Sequence, residues 1–190
     1  TATLSDQYNL LSLTQQTDTA AVNGKTWTTT YTTADRKLRT TTPLGRAVDR
    51  FLDAKGRVSR ISVPGMLPVT ITYDTLGRLQ TMTQGTRTTT FAWNTRDELQ
   101  SVTDALSRAV SFTYDEAGRV KTQTLPGNRV ISFGYDGNGN LTSLTPPGGA
   151  AHTMTHTPVD NLAGYTPPGT EGTLQYTYNR DRQLTSIVQV

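Results

Sequence analysis

The chain has 190 residues and a net charge of +3, from 18 Lys and Arg against 15 Asp and Glu. It has no cysteine, which excludes disulfides, thiolate metal sites and cysteine nucleophiles, and no apolar run approaches the roughly 18 residues of a membrane helix. Threonine supplies one residue in five, as many as Leu, Ile, Val and Phe together; its branched Cβ suits a pleated strand better than a helix, so composition points to an all-β protein with a thin core.

In chain order, residues 1–26 read as a partial repeat, because Asn9-Leu10-Leu11-Ser12-Leu13-Thr14 aligns with Asn140-Leu141-Thr142-Ser143-Leu144-Thr145. From about residue 27 to 190 the sequence repeats eight times. An aliphatic column runs Leu38, Val58, Leu79, Leu99, Val120, Leu141, Leu162 and Leu184, at steps of 20 to 22 residues, and Thr or Ser stands four residues after all but the last. Fixed periods of this kind are the mark of a repeat architecture.

Each unit has the same internal plan. Val69, Ile71 and Tyr73 alternate with Thr70 and Thr72; Val110, Phe112 and Tyr114 alternate with Ser111 and Thr113; Ile131, Phe133 and Tyr135 alternate with Ser132 and Gly134. Period two predicts a strand with an apolar face and a small polar face. An Asp-x-x-Gly step then reverses the chain at Tyr73-Asp74 to Gly77-Arg78, Tyr114-Asp115 to Gly118-Arg119 and Tyr135-Asp136 to Gly139. Asp accepts hydrogen bonds from amides just after it, and Gly supplies the positive φ of a type I turn with a bulge. A second strand follows. Pro43, Pro64, Pro126, Pro146, Pro147, Pro167 and Pro168 then mark the return turns, since proline cannot donate to a ladder. The expected fold is all-β: tandem hairpins of about 21 residues in a curved, up-and-down antiparallel sheet of about seventeen strands, forming one array over residues 1–190. Propeller blades repeat at about 40 residues; parallel β-helix coils lack a tight reversal in every unit; glycosylated stalks lack alternating aromatic strands.

The recurring Tyr-Asp-x-x-Gly-Arg-Leu, followed by Thr and a Pro/Gly turn, resembles the YD repeat of the Rhs family. The motif is intact at Tyr73–Leu79 and Tyr114–Val120, and the turn glycine is replaced by Arg36, Asp160 and Arg182 in weaker copies. The resemblance implies a segment of a spiralling β-shell, as in bacterial Rhs proteins, toxin-complex C subunits and teneurins. In the bacterial members it implies a non-catalytic wall that encapsulates a C-terminal toxin or effector. Its partners would be neighbouring repeats of the same shell, the enclosed toxin cargo and a delivery-system component. The location implied is secreted or at the bacterial cell surface. Self-cleavage in that family uses aspartates in an Asp-Pro-x-Gly setting; this chain has no Asp-Pro dipeptide, so the activity is carried over to no residue. An opening at Thr1 rather than Met reads as a piece of a longer shell. The alternative is an extracellular adhesion or carbohydrate-contact ribbon, which needs exposed platforms at Tyr73, Trp93 and Tyr114.

Other chemistry is discounted. His152 and His156 would lie about 13 Å apart on one strand face, too far to share a zinc. Asp136-Gly137-Asn138-Gly139-Asn140 opens like a calcium loop, but Leu141 and Pro147 stand where Gly and Glu are required. No phosphate loop, carboxylate pair or Ser-His-Asp set stands out, so no enzyme, cofactor or metal is expected. The cations are scattered, which reads as a solvated surface with no nucleic-acid partner. Arg57, Arg78 and Arg119, each one residue after a turn glycine, are expected to pair with Asp53, Asp74 and Asp115 or to lie over the aromatic anchor; a basic stripe for an acidic cargo or glycan is the other reading.

Overall fold

The structure, a computed structural model, describes residues 1–169 and 172–190. It is all-β and antiparallel, with strands joined in chain order, and it divides into two compact units, Thr1–Phe91 and Ala92–Val190. The first holds β1 (Ala2–Leu4), β2 (Leu13–Val22), β3 (Lys25–Thr32), β4 (Lys37–Thr41), β5 (Ala47–Leu52), β6 (Val58–Ser62), β7 (Val69–Tyr73), β8 (Leu79–Gln84) and β9 (Arg87–Trp93), whose last two residues open the second unit. The second continues with β10 (Leu99–Thr103), β11 (Ala109–Tyr114), β12 (Val120–Leu125), β13 (Arg129–Tyr135), β14 (Leu141–Thr145), β15 (His152–His156), β16 (Leu162–Thr166), β17 (Leu174–Tyr178) and β18 (Leu184–Gln189). Within each unit every strand pairs with its neighbours in sequence.

The eighteenth strand, β1, comes from the opening segment, where the structure departs from the alignment. Asn9 does not enter a strand as Asn140 leads into β14. Its side chain accepts from the Leu11 amide and caps a 3-10 turn over Leu10–Ser12. The Ser12 hydroxyl donates to the Asp6 and Asn9 carbonyls. Such local side-chain bonds compete with a ladder, so the strand begins only at Leu13.

The Asp-x-x-Gly reversals share one geometry. Tyr73 pairs with Leu79 across a register shift at Thr72/Tyr73, and the same bulge recurs at Leu52, Tyr114, Tyr135, His156 and Tyr178. The Gly77 amide donates to the Asp74 carbonyl at 3.0 Å, and Gly77 has φ +89°. Arg36, Asp160 and Arg182 keep a positive φ in the weaker copies, at 47°, 64° and 61°. The turn is therefore imposed by the flanking strands rather than by glycine alone.

Polar and apolar faces are both wet. Among the described residues no apolar side chain is fully buried; the aliphatic and aromatic columns are mostly half-buried. On the polar face, threonines meet across strands: Thr72 with Thr81 at 2.7 Å, Thr113 with Thr122 at 2.6 Å and Thr83 with Thr88 at 3.0 Å. Cross-strand pairs of this type are the unit of sheet stabilisation, each contributing roughly 0.2–1 kcal/mol.

Two substitutions test the turn. Gly118→Val is expected to destabilise by about 1–2 kcal/mol, because a side chain at φ +77° is strained. Arg182→Gly is expected to stabilise by up to about 1 kcal/mol by relieving the same strain. Urea denaturation midpoints check both; equal stability of all three proteins would contradict the turn assignment.

Candidate functional site

The residues singled out from the sequence come together as a recurring staple between consecutive copies. Its first part is the turn carboxylate. Asp74 Oδ1 accepts the Arg78 amide at 2.9 Å, and Oδ2 accepts Arg78 Nε at 2.7 Å. Asp115 does the same with the Arg119 amide at 3.0 Å and Arg119 Nε at 2.7 Å, and also accepts the Ala117 amide. Asp53 with Arg57 repeats the pattern, and Asp104 with Arg108 makes the same bonds in the return turn between β10 and β11.

The second part reaches the next copy. The Arg57 guanidinium lies 4.1 Å from the Tyr73 ring centroid, and that of Arg119 lies 4.7 Å from Tyr135. Arg119 Nη1 also donates to the Asp136 carbonyl at 2.9 Å. The two readings offered for these arginines hold together in one side chain, but the aromatic ring belongs to the following copy. A guanidinium so placed is spent on the fold rather than offered as a basic stripe.

The third part runs backwards. The Tyr73 hydroxyl donates to the Val58 carbonyl at 2.9 Å, Tyr114 to Leu99 at 2.7 Å, Tyr135 to Val120 at 3.0 Å and Tyr178 to Leu162 at 2.9 Å. Each acceptor is the aliphatic-column residue of the preceding copy. Sequence reasoning missed this bond, although two copies carried a signal: the mid-strand aromatic is Phe112 or Phe133, whereas the anchor two residues on is Tyr114 or Tyr135. A buried phenol asks for an acceptor; a phenyl ring does not.

The junction after Gly139 is built differently. After Gly139 the arginine is replaced by Asn140, whose Nδ2 bridges Asp136 Oδ2 at 3.0 Å and Asp160 Oδ1 at 2.8 Å, while Asn138 Nδ2 donates to Asp160 Oδ1 at 3.0 Å. Asp136 Oδ1 is already taken by the Asn138 and Asn140 amides. The residues that imitate a calcium loop thus spend their carboxylates on amides. His156 stands in the anchor column with Nδ1 unpartnered, and His152 Nδ1 bonds the Tyr165 hydroxyl at 2.7 Å with the rings stacked. Among the described residues, no three His, Asp or Glu side chains are placed to hold a metal.

Charge follows geometry. The Arg57 amide, then its guanidinium, hold the Asp53 carboxyl below its ordinary value. The Arg119 amide does so for Asp115, and the Arg108 side chain followed by its amide for Asp104. For Asp74, partial burial works in the opposite direction and is outweighed by the amide and guanidinium of Arg78. Burial, then the Glu98 charge, push the Tyr114 phenol up.

A ladder of hairpins stapled copy to copy has the make-up of a repeat wall. Residues 20–189 match the family described as Teneurin YD-shell, and the chain belongs to that family. Two solved structures are similar to it: the crystal structure of TcdB2-TccC3-Cdc42, 14% identical with TM-score 0.62, covering 89% of this chain and 11% of that one, and that of TcdB2-TccC3 without its hypervariable C-terminal region, 15% identical with TM-score 0.65, covering 93% and 12%. At that identity the likeness is one of fold, and this chain spans about a tenth of their length. No curated protein matches it. No helix among the described residues is long and apolar enough to cross a membrane.

Two outcomes are expected of the staple. Tyr114→Phe is expected to lower stability by about 1 kcal/mol, since it leaves the Leu99 carbonyl without its donor, while Tyr8→Phe, at a 90% exposed position, is expected to change nothing; chemical denaturation separates them. The depressed aspartates stabilise the fold fully above their unfolded value of about 3.9 and lose that contribution as pH falls through their lower folded values. The denaturation midpoint is therefore expected to be insensitive to these groups from pH 7 to about 5, to fall below about 4, and to fall less steeply in Asp115→Asn.

Proposed function

We propose that this chain is a non-catalytic wall segment of an Rhs-type β-shell that encloses a C-terminal toxin or effector, and that residues 1–190 form a single YD-repeat array within it. Tyr73, Asp74, Gly77, Arg78, Tyr114, Asp115, Gly118, Arg119, Tyr135, Asp136 and Gly139 act in it as structural turn residues. The observation that carries this reading is the direction of the staple: where a copy carries the arginine, as at Arg57 and Arg119, it is spent on the next copy, and the anchor tyrosines Tyr73, Tyr114, Tyr135 and Tyr178 are spent on the previous one. Units that bury little alone gain stability only from neighbours, which suits an extendable wall. Membership of the YD-shell family supports the structural role. The TcdB2-TccC3 structure, similar in fold, lacks a hypervariable C-terminal region of that protein, which agrees with a cargo beyond the wall. Partners in this reading are neighbouring repeats, the enclosed cargo and a delivery-system component, and the protein acts outside the cell that makes it.

The adhesion reading is less well supported. It asked for exposed platforms at Tyr73, Trp93 and Tyr114; all three are half-buried, and the two tyrosine hydroxyls are bonded to the preceding copy.

Limited proteolysis of the parent protein checks the proposal. A resistant wall retaining an intact, protected C-terminal segment is expected. Cleavage of that segment as fast as in its isolated form would contradict encapsulation.

A further inference from the structure

The joints that link consecutive copies in the second unit are not equally closed. At three of them a phenol seals the end far from the return loop: Tyr114 of β11 bonds Leu99 of β10, Tyr135 of β13 bonds Val120 of β12, and Tyr178 of β17 bonds Leu162 of β16. At the joint between β14 and β15 the anchor is His156. Its ring makes no hydrogen bond among the described residues, and its Nδ1 is shut away from water without a partner. A buried polar atom left unpaired costs its full desolvation penalty, so closing this joint carries a cost that opening it removes.

The backbone does not make up for the missing phenol. β14 and β15 pair only Ser143 with Thr153 and Leu144 with His152, both near the return loop, whereas β12 and β13 pair from Thr122 with Ser132 to Leu125 with Arg129. β16 and β17 have an equally short ladder, and Asn161 takes the arginine position there, but Tyr178 closes the far end. The β14–β15 return loop, residues 146–151, opens with Pro146 and Pro147, which have no amide to donate, and ties itself by the Gly149 amide to the Pro146 carbonyl at 3.2 Å.

Side chains span the far end through one oxygen. Asp160 Oδ1 accepts Asn140 Nδ2 at 2.8 Å and Asn138 Nδ2 at 3.0 Å, both from the turn of the preceding copy. The Asn140 bond, then the Asn138 bond, hold the Asp160 carboxyl below its ordinary value, against desolvation and the facing charge of Asp136. Asp160 and Asn138 are exposed, so water competes for these bonds and salt screens the charge.

We infer that the β14–β15 joint is a hinge built into the array: it opens from its His156 end about the loop at residues 146–151, and the Asp160 carboxylate is the latch that holds it shut. Three departures from the repeat meet there, and each has a part. His156 for Tyr removes the bond to the Leu141 carbonyl, Asn140 for Arg removes the guanidinium that covers the next ring, and Asp160 for Gly supplies the latch. Segments that open locally are those with few closing contacts, and a loop between two packed elements takes up the motion. The hinge is a property of this chain alone and is independent of what the wall encloses.

Native-state hydrogen exchange of the 190-residue chain, read residue by residue by NMR, tests it. Amides bonded across the β14–β15 ladder are expected to exchange about tenfold faster than those bonded across β12–β13. Asp160→Gly removes the latch while giving the turn the residue that its φ of 64° favours, and is expected to speed exchange further at β14–β15 and not at β12–β13. Asn140→Arg/His156→Tyr restores the staple beside Asp136 and is expected to slow the β14–β15 amides to the β12–β13 rate. Arg182→Gly, a glycine at the same turn position of the last copy, is expected to leave β14–β15 unchanged. Equal exchange at the two joints, protection unmoved by Asp160→Gly, protection unmoved by the restored staple in the folded protein, or an equal rise in Arg182→Gly would each overturn the assignment.

Discussion

The arginine that follows the turn glycine at Gly56, Gly77 and Gly118 is the contact on which the rest depends. In Arg119 one guanidinium neutralises the carboxylate of its own turn, covers the aromatic ring of the next copy and donates to the next turn's backbone. A partly exposed ion pair contributes less than about 1 kcal/mol, a partly exposed cation–π contact about 0.5–1 kcal/mol, and a tyrosine hydrogen bond about 1 kcal/mol. None of these would hold a domain. Repeated at successive junctions and added to a continuous backbone ladder, they substitute for the core that a chain with so few large apolar residues cannot build. Stability in such an array is a property of interfaces, not of units.

Much of this was legible in the sequence because period-two alternation and the placement of proline are strong local constraints. Val69-Thr70-Ile71-Thr72-Tyr73 has one way to be half-buried, and Asp74 through Gly77 has few ways to turn. The all-β class, the repeat step and the antiparallel order follow from those residues. What was not legible is contact between copies. Spacing shows that Arg119 recurs, but not that its ring partner is Tyr135, one copy on, because that depends on the stagger the bulge imposes between adjacent hairpins. The opening segment failed for a different reason: Asn9 and Ser12 satisfy backbone groups locally, so similarity to a strand-forming stretch did not produce a strand there.

The junction after Gly139 shows how the repeat tolerates change. Asn140, His156 and Asp160 depart together from Arg, Tyr and Gly, and the structure answers with amide bridges between two carboxylates. The turn keeps its positive φ at Asp160, and the ladder keeps its bulge at His156. Ladder geometry is thus more demanding than the identity of any side chain at the turn. The same tolerance lets β2 and β3 outgrow β4.

The account is tested most directly by a double-mutant cycle across one junction. Arg119→Met and Tyr135→Leu, made singly and together, are compared by urea denaturation with the starting chain. Coupling of about 0.5–2 kcal/mol between the two positions is predicted, since they lie in different copies and meet face to face. Strict additivity would mean that consecutive copies are not held by this contact, and would contradict the claim that the staple replaces a core.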